Sequence, residues 1–265
     1  MYHNILDMRN LFIIISTCVT QNMYTQYSKA IDTNLVFISD KSPMINESNI
    51  YHYSNNAELI KMGFTGMHNK YNITAWDKAF YFISQHCNEN NENNEYENYW
   101  IIEDDCYINY KEFSKLADSY NTNMSDLLCF GWKQQYIIQK HRPWVHWNAR
   151  YIDGKHSKKT YFDEIDTEAA ITQLVRLSNN SVNEILKFKE KYNRFIFHEL
   201  LFTSLANASK LTSELICDNS IKLCAEKENS IIYKKYPDKD NKYITSELEK
   251  LNYVVVHPFK KWYDN

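Results

Sequence analysis

Glycine and proline number only four each in 265 residues. The shortage matters first in the turn after the first apolar run, Ser16 to Tyr24 (STCVTQNMY), which contains no glycine. A P-loop and a G-x-G-x-x-G dinucleotide turn both need backbone that reaches a phosphate without intervening Cβ atoms, so both are excluded here. The early Gly-rich loop of a sugar-nucleotide pyrophosphorylase is excluded on the same ground. A nucleotide bound at this turn has to be held by side chains and a metal ion.

Arginine is limited to Arg9, Arg142, Arg150, Arg176 and Arg194, and no block of lysine and arginine forms a basic face. With a formal charge of -3 and a pI near 6.3, nucleic acid is not an expected partner. No apolar run is long enough to span a bilayer. Leu11 to Val19 (LFIIISTCV) has the character of a signal-peptide core, but Asp7 precedes it and no small-residue cleavage site follows. It reads as a first strand, and the chain as soluble and cytoplasmic. The six cysteines, Cys18, Cys87, Cys106, Cys129, Cys217 and Cys224, form no C-x-x-C pair and read as buried free thiols in a reducing compartment. Asparagine, isoleucine and tyrosine abound, as in AT-rich coding. Such a bias produces sequons like Asn72-Ile73-Thr74 by chance, and it makes the acidic, Asn-rich stretch 88–98 a solvated loop.

What is present is apolar content sufficient for one substantial core, 44% of the chain, and the expectation is a single domain over 1–265. Leu11 to Val19, a helix from Gln21 to Ile31 and Leu35 to Ile38 make a strand-helix-strand opening, which predicts an α/β fold. Ser39-Asp40 closes the second strand, and Asp40 is a candidate on the nucleotide side. Ile50 to Tyr53 is a short third strand. Lys61 to Gly66, holding two of the glycines, reads as a mobile loop. A helix opens at Thr74-Ala75-Trp76-Asp77. Asp77 has two readings, a first-turn acid answering a Thr74 cap or a group near the nucleotide.

Tyr99, Trp100, Ile101 and Ile102 form a fully buried strand with Glu103, Asp104 and Asp105 at its carboxyl end. Ligands of open α/β sheets bind outside those ends, so the three acids are placed to hold a cation against a phosphate. Asn109 caps a helix to Tyr120, and Leu127 to Phe130 is a buried strand ending at Gly131-Trp132.

From Lys133 to Asp166 the chain is irregular, aromatic and basic. Trp144, Trp147, Tyr151, Tyr161 and Phe162 either stack on a sugar ring or cover the core. His141, His146 and His156 lack the partners of a zinc site. Ala169 to Leu177 reads as a strand, Asn179 to Tyr192 as a helix, and Phe195 to Ala208 as a helix with His198-Glu199 near its start. Glu199 there is a dipole-favoured first-turn acid or a catalytic one. Glu214 to Cys217, Ile231 to Tyr233 and Tyr253 to Val256 are strand-like, the last ending at His257-Pro258.

In this order the chain resembles the GT-A glycosyltransferases over most of its length. The resemblance rests on a DXD-type motif (Glu103-Asp104-Asp105), a glycine-containing turn (Phe130-Gly131-Trp132), a helix-start carboxylate (His198-Glu199) and a C-terminal histidine (His257-Pro258). The combination is similar to glycosyltransferase-like proteins of large DNA viruses and protists, which implies host cytoplasm or a virion if the chain is viral.

The resemblance implies a Rossmann-like, mixed, mainly parallel sheet flanked by helices. Its nucleotide-binding part would cover about 1–131 and its acceptor-binding part about 132–265. It also implies Mn²⁺ or Mg²⁺ on Asp105 and Asp104 with His257. The nucleotide-sugar, a UDP-sugar first, would meet Asp40, Asp77, Glu103, Asp104 and Gly131. Trp132, Trp144 and Trp147 would face a glycan or glycoprotein acceptor. Glu199 would be the general base of an inverting transfer; many relatives carry Glu-Asp or Asp-Asp at this place, so His198 is its rival. Two other readings compete: a non-catalytic glycan-binding or degenerate transferase domain, and a metal-dependent nucleotidyl or phosphodiester enzyme.

Overall fold

The computed structural model describes residues 9–31, 34–68, 72–86, 96–109, 113–132, 149–152, 159–163, 166–216, 222–224, 246, 250 and 253–256. The Ile-rich opening forms strand β1 (Asn10–Ser16), followed by helix α1 (Gln21–Ala30) and strand β2 (Leu35–Ser39). The Thr20 side chain accepts the Met23 N–H and so caps α1 in place of a glycine turn. Strand β3 (Ile50–His52) comes next, then a short helix, α2 (Asn56–Lys61), that periodicity did not predict. Helix α3 (Ala75–His86) precedes the central strand β4 (Asn98–Glu103), and strand β5 (Tyr107–Ile108) follows the acidic turn.

Helix α4 (Phe113–Ser119), strand β6 (Leu127–Trp132), strand β7 (Ala170–Ser178), helix α5 (Asn179–Tyr192), helix α6 (His198–Ala208) and strand β8 (Ser213–Leu215) complete the larger layer. Its seven strands run in the order β3-β2-β1-β4-β7-β6-β8. Only β7 is antiparallel to its neighbours, β4 and β6; the other four pairings are parallel. This is the mixed, mainly parallel α/β sheet expected from the sequence. A second sheet joins β5 to strands β9 (Lys222–Cys224) and β10 (Tyr253–Val256), in the order β5-β10-β9.

Strand residues alternate between two buried faces, which explains why β1 and β4 are apolar without interruption. Ile13, Ile15, Tyr99 and Ile101 pack with α3, α5 and α6, while Phe12, Ile14, Trp100 and Ile102 pack with α1 and α4. Among the described strand residues Arg176 is the charged side chain in the buried set. Buried on β7, it donates to the carbonyls of Tyr120, Asn123 and Ser125, so the loop leading into β6 is tied to its neighbour. Burial lowers its pKa to about 10, and it remains a cation.

Three expectations change. The segment around Gly63 and Gly66 is fixed: both glycines are buried with φ of 83° and 111°. A Cβ on Gly66 would run into the Phe195 carbonyl. Second, α6 begins at His198 because Phe195 and His198 give their N–H groups to Thr65 and Met67. Third, Gly131 and Trp132 form no turn; they are paired strand residues opposite Ile171 and Ala170.

The β6–β7 ladder is irregular just before that point. From Cys129 to Gly131 β6 advances two residues, while β7 runs back four, from Val175 to Ile171. Such irregularities re-aim side chains. Here Leu174 and Ile171, three apart, reach the same core face.

Among the described residues no helix is long and apolar enough to cross a membrane. Cys18, Cys106 and Cys129 are free thiols, the last two buried. The side chains of the other cysteines, most of the Asn-rich stretch, Ile231 to Tyr233, Trp144, Trp147 and His257 lie outside the described residues, as does the Trp132 side chain.

Candidate active site

The parallel pairing of β1 with β4 sets Ile15 opposite Glu103, so the turn at Asp104 and Asp105 meets the turn that leaves β1. Three bonds join the two turns. The Asp104 N–H donates to the Ile15 carbonyl at 3.0 Å, and Asp104 Oδ2 accepts from Ser16 Oγ at 2.7 Å and from the Thr17 N–H at 3.2 Å. From α1, the Tyr27 hydroxyl donates to the carbonyls of Glu103 and Cys106, 3.1 and 2.6 Å away. Glu103 Oε1 accepts from the indole N–H of Trp76 at 2.8 Å.

These residues enclose a cavity of about 210 Å³, walled by Ser16, Thr17, Asp40, His68, Thr74, Trp76 and the three carboxylates. The cavity is acidic. The Cys106 thiol beneath it is pushed well above its ordinary pKa, first by burial and then by the charges of Asp105, Glu103 and Asp104. Asp40 faces the cavity too, but Lys78 Nζ lies 2.9 Å from its carboxylate and also donates to its carbonyl at 2.7 Å. That ammonium is 1% exposed, and the half-buried Asp40 serves as its counter-charge.

Asp77 is not on the cavity wall. Its two oxygens accept the Met67 N–H at 2.9 Å, the Thr74 N–H at 2.9 Å and the Thr74 hydroxyl at 3.2 Å. Asp77 thus answers the N–H of Thr74 at the start of α3, as the third-position acid of a capping box does, and it also holds the Met67 strap. Burial pushes its carboxyl up to about 6, against the lowering effect of those hydrogen bonds. An acid whose folded pKa is raised contributes stability that is fully present below its unfolded pKa and is lost as pH rises through the folded one. Asp77→Asn is therefore expected to destabilise by about 1 to 3 kcal/mol near pH 4 and by less near pH 7. Urea unfolding at both pH values checks this; an equal loss at the two would contradict it.

His198 and Glu199 occupy the first turn of α6, behind the cavity, at 1% and 3% exposure. The His198 ring lies 4.3 Å from that of Trp76 at an interplanar angle of 16°. Its Nδ1 is 2.6 Å from Thr172 Oγ1, and its Nε2 is 3.9 Å from Glu103 Oε1. Glu199 Oε1 accepts from Gln173 Nε2 at 2.9 Å. Thr172 and Gln173 come from the irregular stretch of β7, which turns both toward α6.

The structure thus gathers Asp40, Glu103, Asp104 and Asp105 around one cavity, with His198 and Glu199 beyond Glu103. Gly131 is at the carboxyl end of β6, on the same edge of the sheet. Sequence reading missed Trp76, Lys78, His68, Thr172 and Gln173, which carry no motif. Ser16 and Thr17 left a legible signal, hydroxyls in a glycine-free turn straight after a strand. Among the described residues no three His, Cys, Asp or Glu side chains converge as a metal cage. The oxygen donors present suit a hard divalent cation that takes one or two carboxylates and completes its shell with water and phosphate.

No protein-family model matches the chain, and no curated protein matches it. Among solved structures it is similar to an active-site mutant of LgtC, at a TM-score of 0.45 and 11% identity over 93% of this chain and 86% of that one. It is also similar to a glycosyltransferase involved in the glycosylation of the major capsid of PBCV-1, at 0.37 and 12% over 93% and 92%. Mouse xyloside xylosyltransferase 1 in its apo form aligns at 0.41 and 10% over 94% and 96%. At these scores and identities the likenesses assign neither an activity nor a substrate.

Proposed function

We propose that the chain is a metal-dependent glycosyltransferase that moves a sugar from a nucleotide-sugar, a UDP-sugar first, to a hydroxyl of a glycan or protein. The observation that carries this reading is the acidic turn of β4 bonded to the glycine-free turn of β1 over one cavity. Backbone amides cannot cradle a diphosphate at such a turn, and carboxylates repel it unless a cation intervenes. Asp105 and Asp104 would hold Mn²⁺ or Mg²⁺, with His257 as the further ligand that the resemblance implies. When bound, the ion neutralises the charge that gathers on the leaving diphosphate.

The chain's own residues do the rest. Ser16 and Thr17 fix the Asp104 carboxylate, and Lys78 offsets Asp40. Glu199, oriented by Gln173, takes the proton of the acceptor hydroxyl as that oxygen bonds to the anomeric carbon and the bond to the diphosphate breaks. Attack from the face opposite the diphosphate inverts the anomeric centre. Residues 1–131 supply the donor side, and 132–265 supply the acceptor side with Trp132, Trp144 and Trp147.

Calorimetric titration of UDP with and without Mn²⁺ tests the reading, followed by donor-hydrolysis assays with UDP- and GDP-sugars. UDP is expected to bind at least about tenfold more tightly with the metal, a difference of roughly 1.4 kcal/mol. If neither UDP nor GDP binds with metal present, the chain is not such a transferase.

A further inference from the structure

Trp76 touches both halves of the candidate site. It projects from the first turn of α3, is 3% exposed, and packs on Phe202 of α6 at 5.7 Å between ring centroids. Its edge and its face do different things. The edge gives the indole N–H to Glu103 Oε1, a charge-assisted bond at 2.8 Å. The face lies flat on the His198 imidazole, 4.3 Å away.

An indole has only two side-chain torsions and little freedom once buried. Whatever fixes Trp76 therefore fixes a carboxylate at the end of β4 and an imidazole at the start of α6 together. The neighbouring bonds point the same way. Thr172 holds the far nitrogen of His198, Ser16 and Thr17 hold Asp104, and Asp77 beside Trp76 pins the Met67 strap whose carbonyl takes the His198 N–H. Glu103 is drawn toward α3 and α6, while Asp104 is drawn toward β1, so the two adjacent acids are set by different elements.

We propose that Trp76 is the positioning residue that couples the nucleotide side of the site to the α6 side, its N–H setting Glu103 and its ring setting His198. This rests on the glycosyltransferase reading for its functional consequence, though not for the coupling itself. A Trp that merely fills the core would give its N–H to any nearby acceptor, and losing that bond would cost stability without touching nucleotide affinity. A strut makes both change through Glu103.

Two substitutions separate edge from face. Trp76→Phe keeps an aromatic ring over His198 and removes the N–H, while Trp76→Leu removes both. In calorimetry with UDP and Mn²⁺, Trp76→Phe is expected to raise Kd about tenfold. In a Glu103→Ala background the same change is expected to alter Kd by less than about twofold, since the bond it deletes is already gone. Trp76→Leu is expected to lower kcat for donor hydrolysis about tenfold below that of Trp76→Phe, because an unsupported His198 loosens the first turn of α6 that carries Glu199. A Kd for Trp76→Phe within about twofold of wild type overturns the proposal, as do effects of Trp76→Phe and Glu103→Ala that multiply.

Urea unfolding of the same four proteins, wild type, both singles and the double, reads the coupling with no ligand present. The rise in the unfolding constant of the double variant should fall at least about fivefold short of the product of the single effects. Failure of the wild type to bind UDP would remove the transferase reading alone. The unfolding cycle would still decide whether Trp76 and Glu103 act as one unit.

Discussion

Asp105→Asn is expected to abolish metal-dependent UDP binding. Affinity measured in Mn²⁺ should fall on the order of 100-fold, to the level that the wild type shows in chelator. The substitution keeps size and shape and removes the charge. Asp105 lies on the cavity wall, and its charge is felt by the Cys106 thiol beneath. Asp104→Asn is a poorer probe. Asp104 Oδ2 accepts from Ser16 and Thr17, and an amide in its place can turn a donor toward those donors, which would loosen the joint between the two turns. Calorimetry of the Asp105 variant, with thermal unfolding to confirm the fold, decides the matter. Undiminished Mn²⁺-dependent binding would remove Asp105 from the metal site.

Glu199→Gln is expected to bind UDP like the wild type and to turn over about two to four decades more slowly. Its neighbour makes this a clean test. Gln173 Nε2 donates to Glu199 Oε1, and the carbonyl oxygen of a glutamine can accept the same bond, so what is lost is the capacity to take a proton. The rival base, His198, is held by other side chains. Its Nδ1 faces Thr172, its Nε2 faces Glu103, and Trp76 covers its ring. Single-turnover measurement with donor and acceptor reads the chemical step directly. Turnover unchanged from wild type would transfer the role to His198 or to another group.

Much of the frame was legible because buried strands and capped helices leave local signals. β1, β4 and β10 follow from uninterrupted β-branched and aromatic runs, and α5 matches its expected limits because Ser178 caps one end and Asn193 turns left-handed at the other, with φ of 49°. The acidic turn was legible for the same reason, since three carboxylates after such a strand have nowhere to go except its carboxyl end.

What was not legible depends on partners distant in sequence. Nothing local tells that β7 runs against its neighbours, or that Gly131 and Trp132 continue a strand. The late start of α6 is set by Thr65 and Met67, some 130 residues away. Trp76 looked like an ordinary helix residue because its two partners lie in β4 and α6. The Asp77 alternatives were visible, and only the positions of Met67 and Thr74 place the side chain at the helix cap.

The reversed strand β7 has a consequence for how the molecule is made. β3, β2, β1 and β4 come from one early stretch of chain and can pair as successive crossover units, whereas β6 and β8 join them only through β7. Closure of the sheet therefore waits on β7, whose pairing with β4 is itself long-range, the kind of contact that slows folding. During synthesis the acidic turn emerges well before Thr172, Gln173, His198 and Glu199, and until β7 arrives the edge of β4 exposes Tyr99 to Ile102 with unpaired backbone. That edge is where misassembly would begin, so a nascent chain halted before β7 is the species most in need of a chaperone.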